Sequence, residues 1–200
     1  MCDRDAATEK HLKHNSMRKI IAAINMTLDG YCDHTAMIAD DEIHEHYNDL
    51  MRQVGVMVYG RTTYQLMESY WPTLVKNPSG NQPSDDFAVL MENVPKLLFS
   101  RTLKSTTWTN TTLAKGSLKE ELLALRQQPG RDIYVGSPSL IAACTELRLA
   151  DEYQLCVNPV IAGKGLHLFK NISDMAKLTL IKTKTFKAGP IVLYYTAVRK

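Results

Sequence analysis

Residues 56–64 read VMVYGRTTY, a short apolar run followed at once by glycine, arginine and two threonines. An apolar run of this length, bounded by glycine, is typical of a buried strand. Residues 64–69 then have helical character, so that the strand runs directly into a helix. Residues 132–140 (DIYVGSPSL) repeat this order. Two strand-to-helix turns of one kind predict an α/β fold.

The flanking segments extend the alternation of strands and helices. Residues 18–25 (RKIIAAIN) predict a buried strand, and Asp40 and Asp41 offer N-cap chemistry ahead of apolar residues at helical spacing. Gly116 and Ser117 open a further helix. The remaining predicted strands are residues 96–99, 152–157, 166–169, 178–186 and 191–198. Because strands dominate after residue 149, we expect a mainly parallel sheet with an antiparallel hairpin at its C-terminal edge.

Residues 71–86 (WPTLVKNPSGNQPSDD) hold three prolines, a glycine and several turn-forming residues. This composition predicts a long surface loop. A loop of that length in a compact domain is often a lid or a binding loop. The aromatic pair Tyr70 and Trp71 at its start is either a core anchor or a ring-stacking surface.

Composition and charge narrow the class of protein. The 200 residues suit one domain, and their 44% apolar and 22% charged content is ordinary for a globular protein. The net charge of +3 is spread along the chain and indicates neither a nucleic-acid nor a membrane partner. Residues 1–16 are polar and lack the apolar segment of a secretory signal. We expect a disordered extension over 1–16 and a single domain over 17–200.

Cysteine and histidine spacing indicates neither a disulfide framework nor a metal site. The cysteines form no C-x-x-C pair, and free thiols in apolar runs fit a reducing cytosol, so we expect a cytoplasmic protein. His44 and His46 are two residues apart, project to different sides of a helix and cannot share an ion. We expect both histidines to be partly exposed, with the alternative that one of them faces a cleft, and we predict no metal. The four cysteines are Cys2, Cys32, Cys144 and Cys156.

Three predicted strand ends carry residues suited to phosphate. Gly60 and Gly136 each precede a helix N-terminus, whose free N–H groups and partial positive charge attract anions. Taken singly, each glycine is better explained by a tight turn, and the case for phosphate comes from finding two such turns at the same edge of one sheet. Ser100 and Arg101 follow a third strand, where the arginine is either a phosphate ligand or a solvated side chain. Together they predict a site for an extended ligand with two phosphate regions, whereas residues 163–165 (GKG) are interpreted as a turn.

The motifs also resemble those of a known family. In their order along residues 17–198 they resemble the dihydrofolate-reductase-like superfamily, and most closely its branch with the reductase domain of riboflavin biosynthesis. The resemblance implies a three-layer α/β/α fold, NADPH as cofactor and a homodimer. The motifs are residues 25–31 (NMTLDGY), 59–64 (YGRTTY), 100–101 (SR), 136–137 (GS), 149–153 (LADEY) and 158–165 (NPVIAGKG), with Leu168 and Phe169.

The resemblance also implies roles for individual residues. The α-helix N-terminus at residues 60–63 is expected to meet the cofactor phosphates, and residues 100–101 its 2′-phosphate. Residues 136–140 are expected to hold the pyrophosphate and the nicotinamide half. The implied cofactor-binding residues are Gly60, Arg61, Thr62, Thr63, Ser100, Arg101, Gly136, Ser137, Ser139 and Leu140. The implied substrate-binding residues are Asn25, Thr27 and His44.

The resulting expectation is an NADPH-dependent reductase of a small heterocyclic or sugar-phosphate substrate, similar to 5-amino-6-(5-phosphoribosylamino)uracil reductase. Asp29 is the candidate catalytic residue that orients substrate or relays a proton, although Asp-Gly is equally a turn former. The alternatives are a dihydrofolate reductase and a non-catalytic NADPH-binding paralogue. In dihydrofolate reductases the first helix supplies a carboxylate, and the corresponding spacing here falls near His44, with acidic residues 40–42 just before it.

Overall fold

The computed structural model describes residues 17–170 and 172–198. The extension predicted at residues 1–16, with Cys2, lies outside the described residues. The described strands are β1 (Ile20–Thr27), β2 (Val54–Gly60), β3 (Lys96–Phe99), β4 (Thr111–Leu113), β5 (Asp132–Val135), β6 (Glu152–Asn158), β7 (Leu178–Thr185) and β8 (Ile191–Ala197). The described α-helices are α1 (Asp41–Gln53), α2 (Arg61–Lys76), α3 (Gln82–Asn93), α4 (Leu118–Gln127) and α5 (Pro138–Glu146).

All eight strands join one sheet in the order β4-β3-β2-β5-β1-β6-β8-β7. The six strands from β4 to β6 run parallel, whereas β8 is antiparallel to both of its neighbours. The prediction of a mainly parallel sheet with an antiparallel C-terminal hairpin is confirmed. Because parallel strands end at the same edge, the carboxyl ends of β1, β2 and β5 lie side by side.

Helices cover both faces of the sheet and bury its apolar side chains. Successive side chains of a strand point to opposite faces, so Met57 and Val58 of β2 belong to different core clusters. Met57 packs in the cluster that holds residues of α1, α2 and α3, such as Tyr47. Val58 packs with Leu122 of α4 and Ile141 of α5. The three-layer α/β/α arrangement is therefore confirmed.

The long loop predicted at residues 71–86 is wrong. Pro72 lies inside α2, and only residues 77–81 separate α2 from α3. The turn-forming residues instead begin α3: the Asn81 side chain accepts a hydrogen bond from the Ser84 backbone at 3.0 Å, and Pro83 lies in the first helical turn. Proline and asparagine suit a helix start as well as a loop, which explains the error.

One predicted strand is wrong, and one strand of the structure was not predicted. Residues 166–169 form no strand, although His167 makes an isolated bridge with Tyr31. Their apolar character serves the core, because Leu168 is 1% exposed and its N–H donates to the Gly30 carbonyl at 3.0 Å. The short edge strand β4 was not predicted, because three residues with two threonines give no periodic signal.

The thiols behave as the sequence predicts. Cys32, Cys144 and Cys156 are free, and the last two are fully buried. Burial raises the pKa of each of these three thiols to about 12, so they are protonated at neutral pH. None of the helices in the described part of the chain has both the length and the apolar character of a bilayer span.

A partly buried ion pair ties the amino ends of β1 and β6 to α4. The Arg126 guanidinium donates to Asp151 Oδ2 at 2.6 Å and to the Leu149 carbonyl at 2.7 Å. The same Asp151 oxygen accepts a hydrogen bond from the Ile20 backbone at 2.8 Å. The two charged side chains are only 11% and 22% exposed, so removing one leaves the other poorly solvated.

We therefore expect Arg126→Met to lower the free energy of unfolding by about 3 kcal/mol, measured by urea denaturation. Arg52→Met is the matched control, because the Arg52–Asp49 pair is 48% and 63% exposed and should contribute less than about 1 kcal/mol. Equal losses in the two variants would contradict the role of the Arg126 ion pair.

Candidate functional site

A cavity of about 570 Å³ opens at the carboxyl edge of the sheet. Its walls come from the ends of β1, β2 and β5, from the loop over residues 28–40 and from helices α1, α2, α3 and α5. Ligand sites of α/β sheets lie at this edge, and small-molecule pockets have volumes of this order. The cavity is therefore the candidate functional site.

One end of the cavity is polar and is formed by two helix N-termini. The Gly60 N–H donates to Ser137 Oγ at 2.8 Å, so that the start of α2 is bonded to the start of α5. Neither helix has a side-chain cap. By contrast, α1, α3 and α4 are capped by Asp40, Asn81 and Ser117. The first-turn N–H groups of α2 and α5 are therefore available to a ligand, and an anion suits them best.

Packing requires glycine at one of the two turns, Gly136, and does not require it at the other, Gly60. A Cβ atom at Gly136 would overlap the ring of Tyr134, so a side chain there would displace a buried residue. A Cβ atom at Gly60 would lie 3.7 Å from the hydroxyl oxygens of Ser137 and Ser139, which is ordinary contact. Gly136 is thus required by packing alone, whereas at Gly60 the free protein has room for a methyl group.

The third strand end lies beside the cavity rather than in its wall. Arg61 lines the cavity, and its guanidinium donates to Thr102 Oγ1 at 2.9 Å, which holds the loop after β3 against α2. Ser100 uses its hydroxyl oxygen to accept hydrogen bonds from the backbone of Thr102 and Leu103. Arg101 is exposed on this loop. Arg61 and Arg101 together provide two guanidinium groups near the polar end.

The other end of the cavity is apolar and aromatic. Trp71 of α2 and Phe87 of α3 meet edge to face, with ring centroids 4.6 Å apart and planes at 77°. The Trp71 indole N–H is 3.1 Å from Met67 Sδ, so the one polar group of this ring faces sulfur. Trp71 packs against the core cluster, as the core-anchor interpretation predicts, and it also lines the cavity, so the ring-stacking interpretation stays a prediction.

Three polar side chains project among these apolar walls. The Asn25 Oδ1 and the Tyr47 hydroxyl are both buried without a hydrogen-bond partner among the described residues. His44 Nδ1 lies 3.0 Å from the Asp40 carbonyl oxygen. Since a carbonyl only accepts, Nδ1 carries a proton and Nε2 is the nitrogen available to a ligand. All three side chains line the cavity.

His46 is more buried than the sequence predicts. His46 is 5% exposed, not partly exposed, and its ring packs against Tyr47 and Phe186. Burial lowers the pKa of His46 to about 4, so it is neutral at physiological pH. In the described part of the chain, no group of three or more histidine, cysteine and carboxylate side chains could hold a metal.

Asp29 and Thr27 lie outside the cavity walls. Asp29 Oδ1 accepts hydrogen bonds from Thr27 Oγ1 at 2.6 Å and from the Ala162 N–H at 3.1 Å, and Oδ2 accepts one from the Gly163 N–H at 2.7 Å. These hydrogen bonds, that of Thr27 above all, lower the pKa of Asp29 to about 2. The geometry favours the turn-forming alternative, and the catalytic role of Asp29 stays a prediction.

The acidic residues at the start of α1 also use their carboxylates in contacts outside the cavity. Asp40 caps the helix through the Ile43 N–H, and Asp41 accepts a hydrogen bond from the Asn81 side chain at 2.8 Å. Glu42 pairs with the Lys187 ammonium group at 3.3 Å. Among the described lining residues there is no aspartate or glutamate. The cavity therefore lacks the carboxylate that binding of a pterin in a dihydrofolate reductase would need.

The structure brings most of the predicted site residues together. Those that line the cavity are Asn25, His44, Gly60, Arg61, Thr62, Thr63, Gly136, Ser137 and Ser139; those that do not are Thr27, Asp29, Ser100, Arg101 and Leu140. Leu140 packs in the opposite core cluster, so that only its backbone N–H, in the first turn of α5, is suited to a ligand. Sequence reasoning missed Tyr47, Met67, Phe87 and Met91, whose helical spacing signals burial but does not distinguish a core from a cavity wall.

Comparisons with known proteins agree with this fold. A family model described as the RibD C-terminal domain matches residues 18–192. An uncharacterized protein of Bacillus subtilis (strain 168), YyaP, is 29% identical over 182 residues, which cover 89% of this chain and 94% of that protein. A crystal structure of a putative riboflavin biosynthesis protein from Shewanella sp. PV-4 superposes with a TM-score of 0.70 at 20% identity, covering 90% of this chain and 99% of the other.

A further similar structure is a bifunctional protein of Thermotoga maritima. It is a diaminohydroxyphosphoribosylaminopyrimidine deaminase/5-amino-6-(5-phosphoribosylamino)uracil reductase, with a TM-score of 0.63 at 17% identity. The match covers 92% of this chain and 58% of the Thermotoga chain. At these identities the two crystal structures establish the shared fold.

We expect Ser137→Ala to reduce the free energy of unfolding by about 1–3 kcal/mol, because the Gly60 N–H loses its partner at a buried turn. Urea denaturation measures the loss. Ser139→Ala, on the same helix turn but exposed, is the control and should unfold like the parent protein. A parent-like midpoint for Ser137→Ala would show that the bond between the two helix starts contributes nothing.

Asp29→Asn should lower the melting temperature without changing the shape of any activity–pH profile between pH 5 and 9. The folded-state pKa of about 2 lies below the ordinary value of 3.8. The contribution of the Asp29 carboxylate to stability is therefore complete above pH 3.8 and is lost as the pH falls through 2. Thermal melts at pH 7 and pH 2 measure this, and the difference between parent and variant should shrink at pH 2. Loss of turnover with an unchanged melting temperature would instead support the catalytic role.

Proposed function

Because the chain belongs to the RibD C-terminal domain family, we propose that it is an NADPH-dependent oxidoreductase that reduces a small heterocyclic substrate. The family supports a reductase related to those of riboflavin biosynthesis. The single observation that carries the cofactor assignment is the pair of helix N-termini without side-chain caps at one end of the cavity, joined by the Gly60–Ser137 hydrogen bond.

The residues at the polar end fit a dinucleotide phosphate. The N-terminus of α2 would bind one phosphate region through its free N–H groups, through the hydroxyls of Thr62 and Thr63 and through Arg61. The N-terminus of α5 would bind the second region through the backbone N–H groups of Ser139 and Leu140. Arg101, on the loop that Arg61 contacts, would read the 2′-phosphate that distinguishes NADPH from NADH.

NADPH, when bound, supplies the hydride, and the protein contributes orientation and electrostatics. The reduction would add that hydride to the carbon of a C=N or C=O group, and the heteroatom would take a proton. With no carboxylate among the described lining residues, the candidate polar contacts to the substrate are the Asn25 carboxamide, His44 Nε2 and the Tyr47 hydroxyl. Water is the proton source consistent with this set.

The two alternatives are distinguished by turnover. Dihydrofolate reduction is disfavoured, because residues 40–42 use their carboxylates outside the cavity. A non-catalytic paralogue would bind NADPH and reduce neither pterins nor aminopyrimidines. The homodimer and the cytoplasmic location expected from the sequence stay predictions; sedimentation equilibrium and cell fractionation test them.

We expect Arg101→Ala to weaken NADPH binding by about 1–3 kcal/mol, which is the contribution of a hydrogen bond to a charged group, and to leave NADH binding unchanged. Arg61→Ala should weaken both cofactors, because the phosphates it would meet are common to them. Fluorescence titration with each reduced cofactor measures these affinities.

Lys104→Ala is the matched control for Arg101→Ala, since Lys104 is exposed on the same loop. An equal loss of NADPH and NADH in Arg101→Ala would refute the 2′-phosphate assignment. Absence of binding of either cofactor to the parent protein would refute the proposed function as a whole.

A further inference from the structure

Part of the cavity wall is apolar and aromatic, and we call the part of the cavity that it lines the inner chamber. Helices α1, α2 and α3 each contribute two of its residues, four positions apart on the helix. All six side chains pack in, or against, one core cluster. The inner-chamber residues are Tyr47, Met51, Met67, Trp71, Phe87 and Met91.

The inner chamber has an aromatic wall. Phe87 lies between Trp71 and Tyr47, with centroid distances of 4.6 Å and 6.4 Å and steep angles between the ring planes. His44 meets Trp71 edge to face at 6.3 Å. Walls of this kind present ring edges and faces to a further planar ring. The flexible methionine side chains at positions 67 and 91 adapt to the outline of such a ring.

None of the six inner-chamber residues carries a charged side chain. Among the described residues that line the whole cavity, Arg61 is the one guanidinium, no lysine ammonium or carboxylate joins it, and the other basic groups are the imidazoles of His34 and His44. Arg61 lies at the polar end, where it is bonded to Thr102. A phosphate or carboxylate placed among Trp71, Phe87 and the methionines would be desolvated with no guanidinium or ammonium group beside it, which is unfavourable.

Two buried polar atoms of the cavity wall indicate which polar groups a bound ring would carry. Tyr47 is only 8% exposed, and its hydroxyl has no hydrogen-bond partner among the described residues. Burial raises the pKa of this phenol well above its ordinary value. The phenol therefore stays protonated and can donate a hydrogen bond to an acceptor. The Asn25 carboxamide oxygen is also unpartnered and can accept an N–H. Native proteins rarely leave buried polar atoms unpaired, which points to a ligand that supplies the missing partners.

We infer that the substrate bound in the inner chamber is an uncharged, planar aromatic ring compound that carries a carbonyl or ring-nitrogen acceptor and no phosphate. This inference rests on the proposed function and narrows it, since it separates the substrate from the phosphoribosyl compounds named for the Thermotoga relative. The acceptor pairs with the Tyr47 hydroxyl. In the reduction, the ring takes a hydride from the nicotinamide and a proton from water, and NADP⁺ is the oxidised product.

Calorimetric titration of the full chain with matched probes tests the inference. Coumarin is a neutral planar ring with a carbonyl acceptor, and coumarin-3-carboxylate adds one negative charge to it. Uridine 5′-monophosphate carries a pyrimidine, a ribose and a phosphate. We expect coumarin to bind more than ~10-fold tighter than coumarin-3-carboxylate, because its burial leaves no unpaired charge, and we expect uridine 5′-monophosphate not to displace it. Equal or tighter binding of coumarin-3-carboxylate, or displacement of coumarin by uridine 5′-monophosphate, would overturn the inference.

Variants then locate the binding. Tyr47→Phe should weaken coumarin by about 3- to 10-fold, the contribution of one neutral hydrogen bond, without lowering the unfolding midpoint, because the lost hydroxyl has no partner in the free protein. Tyr195→Phe is the control, since its ring packs with the opposite core cluster. Met67→Lys places a cation in the chamber and should reverse the preference toward coumarin-3-carboxylate. Unchanged coumarin affinity in Tyr47→Phe would overturn the assignment of the acceptor.

Separate titrations with NADPH distinguish this inference from the proposed function. If NADPH binds while uridine 5′-monophosphate displaces coumarin, the reductase stands and the inferred ring class is wrong. If coumarin binds in a Tyr47-dependent manner and NADPH does not bind, the ligand class of the chamber stands and the cofactor assignment is wrong.

Discussion

The hydrogen bond from the Gly60 N–H to Ser137 Oγ joins two turns that are 77 residues apart in the chain. Each turn follows a parallel strand, and β5 lies directly beside β2 in the sheet. The bond therefore fixes the starts of α2 and α5 side by side at the same edge. It also uses the Ser137 side chain between the turns, so that this residue does not cap its own helix. Two sets of free N–H groups consequently face one cavity, and the polar half of the site depends on this arrangement.

The apolar half of the site depends on how three helices meet. Helices α1, α2 and α3 pack on one face of the sheet, and their core-facing side chains continue past the core into the cavity wall. Burial of those side chains stabilises the domain. We infer that the same side chains also select the ligand, because an aromatic and thioether wall disfavours anions. One set of residues thus stabilises the domain and forms the apolar cavity wall, whereas the free N–H groups suited to phosphate belong to the backbone at the strand ends.

Much of the fold could be predicted from local pattern. Strands β3 and β5 were predicted over residues 96–99 and 132–135, where the structure has them. Such short strands lie within the sheet and read as continuous apolar runs. Helix α1 was predicted from its cap at Asp40. Helix α3 escaped prediction because Asn81 and Pro83 serve a helix start and a loop equally well. The choice between the two came from packing of residues such as Ala88 and Met91 against the core, which no local pattern records.

The sequence by itself determined the residue types at the strand ends: glycine, hydroxyl and guanidinium groups directly after apolar runs, which identify a phosphate-suited edge. Only the tertiary structure decided how individual side chains are used. Asp29 follows β1 as a candidate for chemistry, yet its carboxylate is held by Thr27 and by the backbone at residues 162 and 163. Tyr47 reads as one more apolar position of α1, yet its hydroxyl lies unpartnered beside the cavity. Both outcomes depend on contacts between distant parts of the chain, and the sequence pattern contains only neighbours along it.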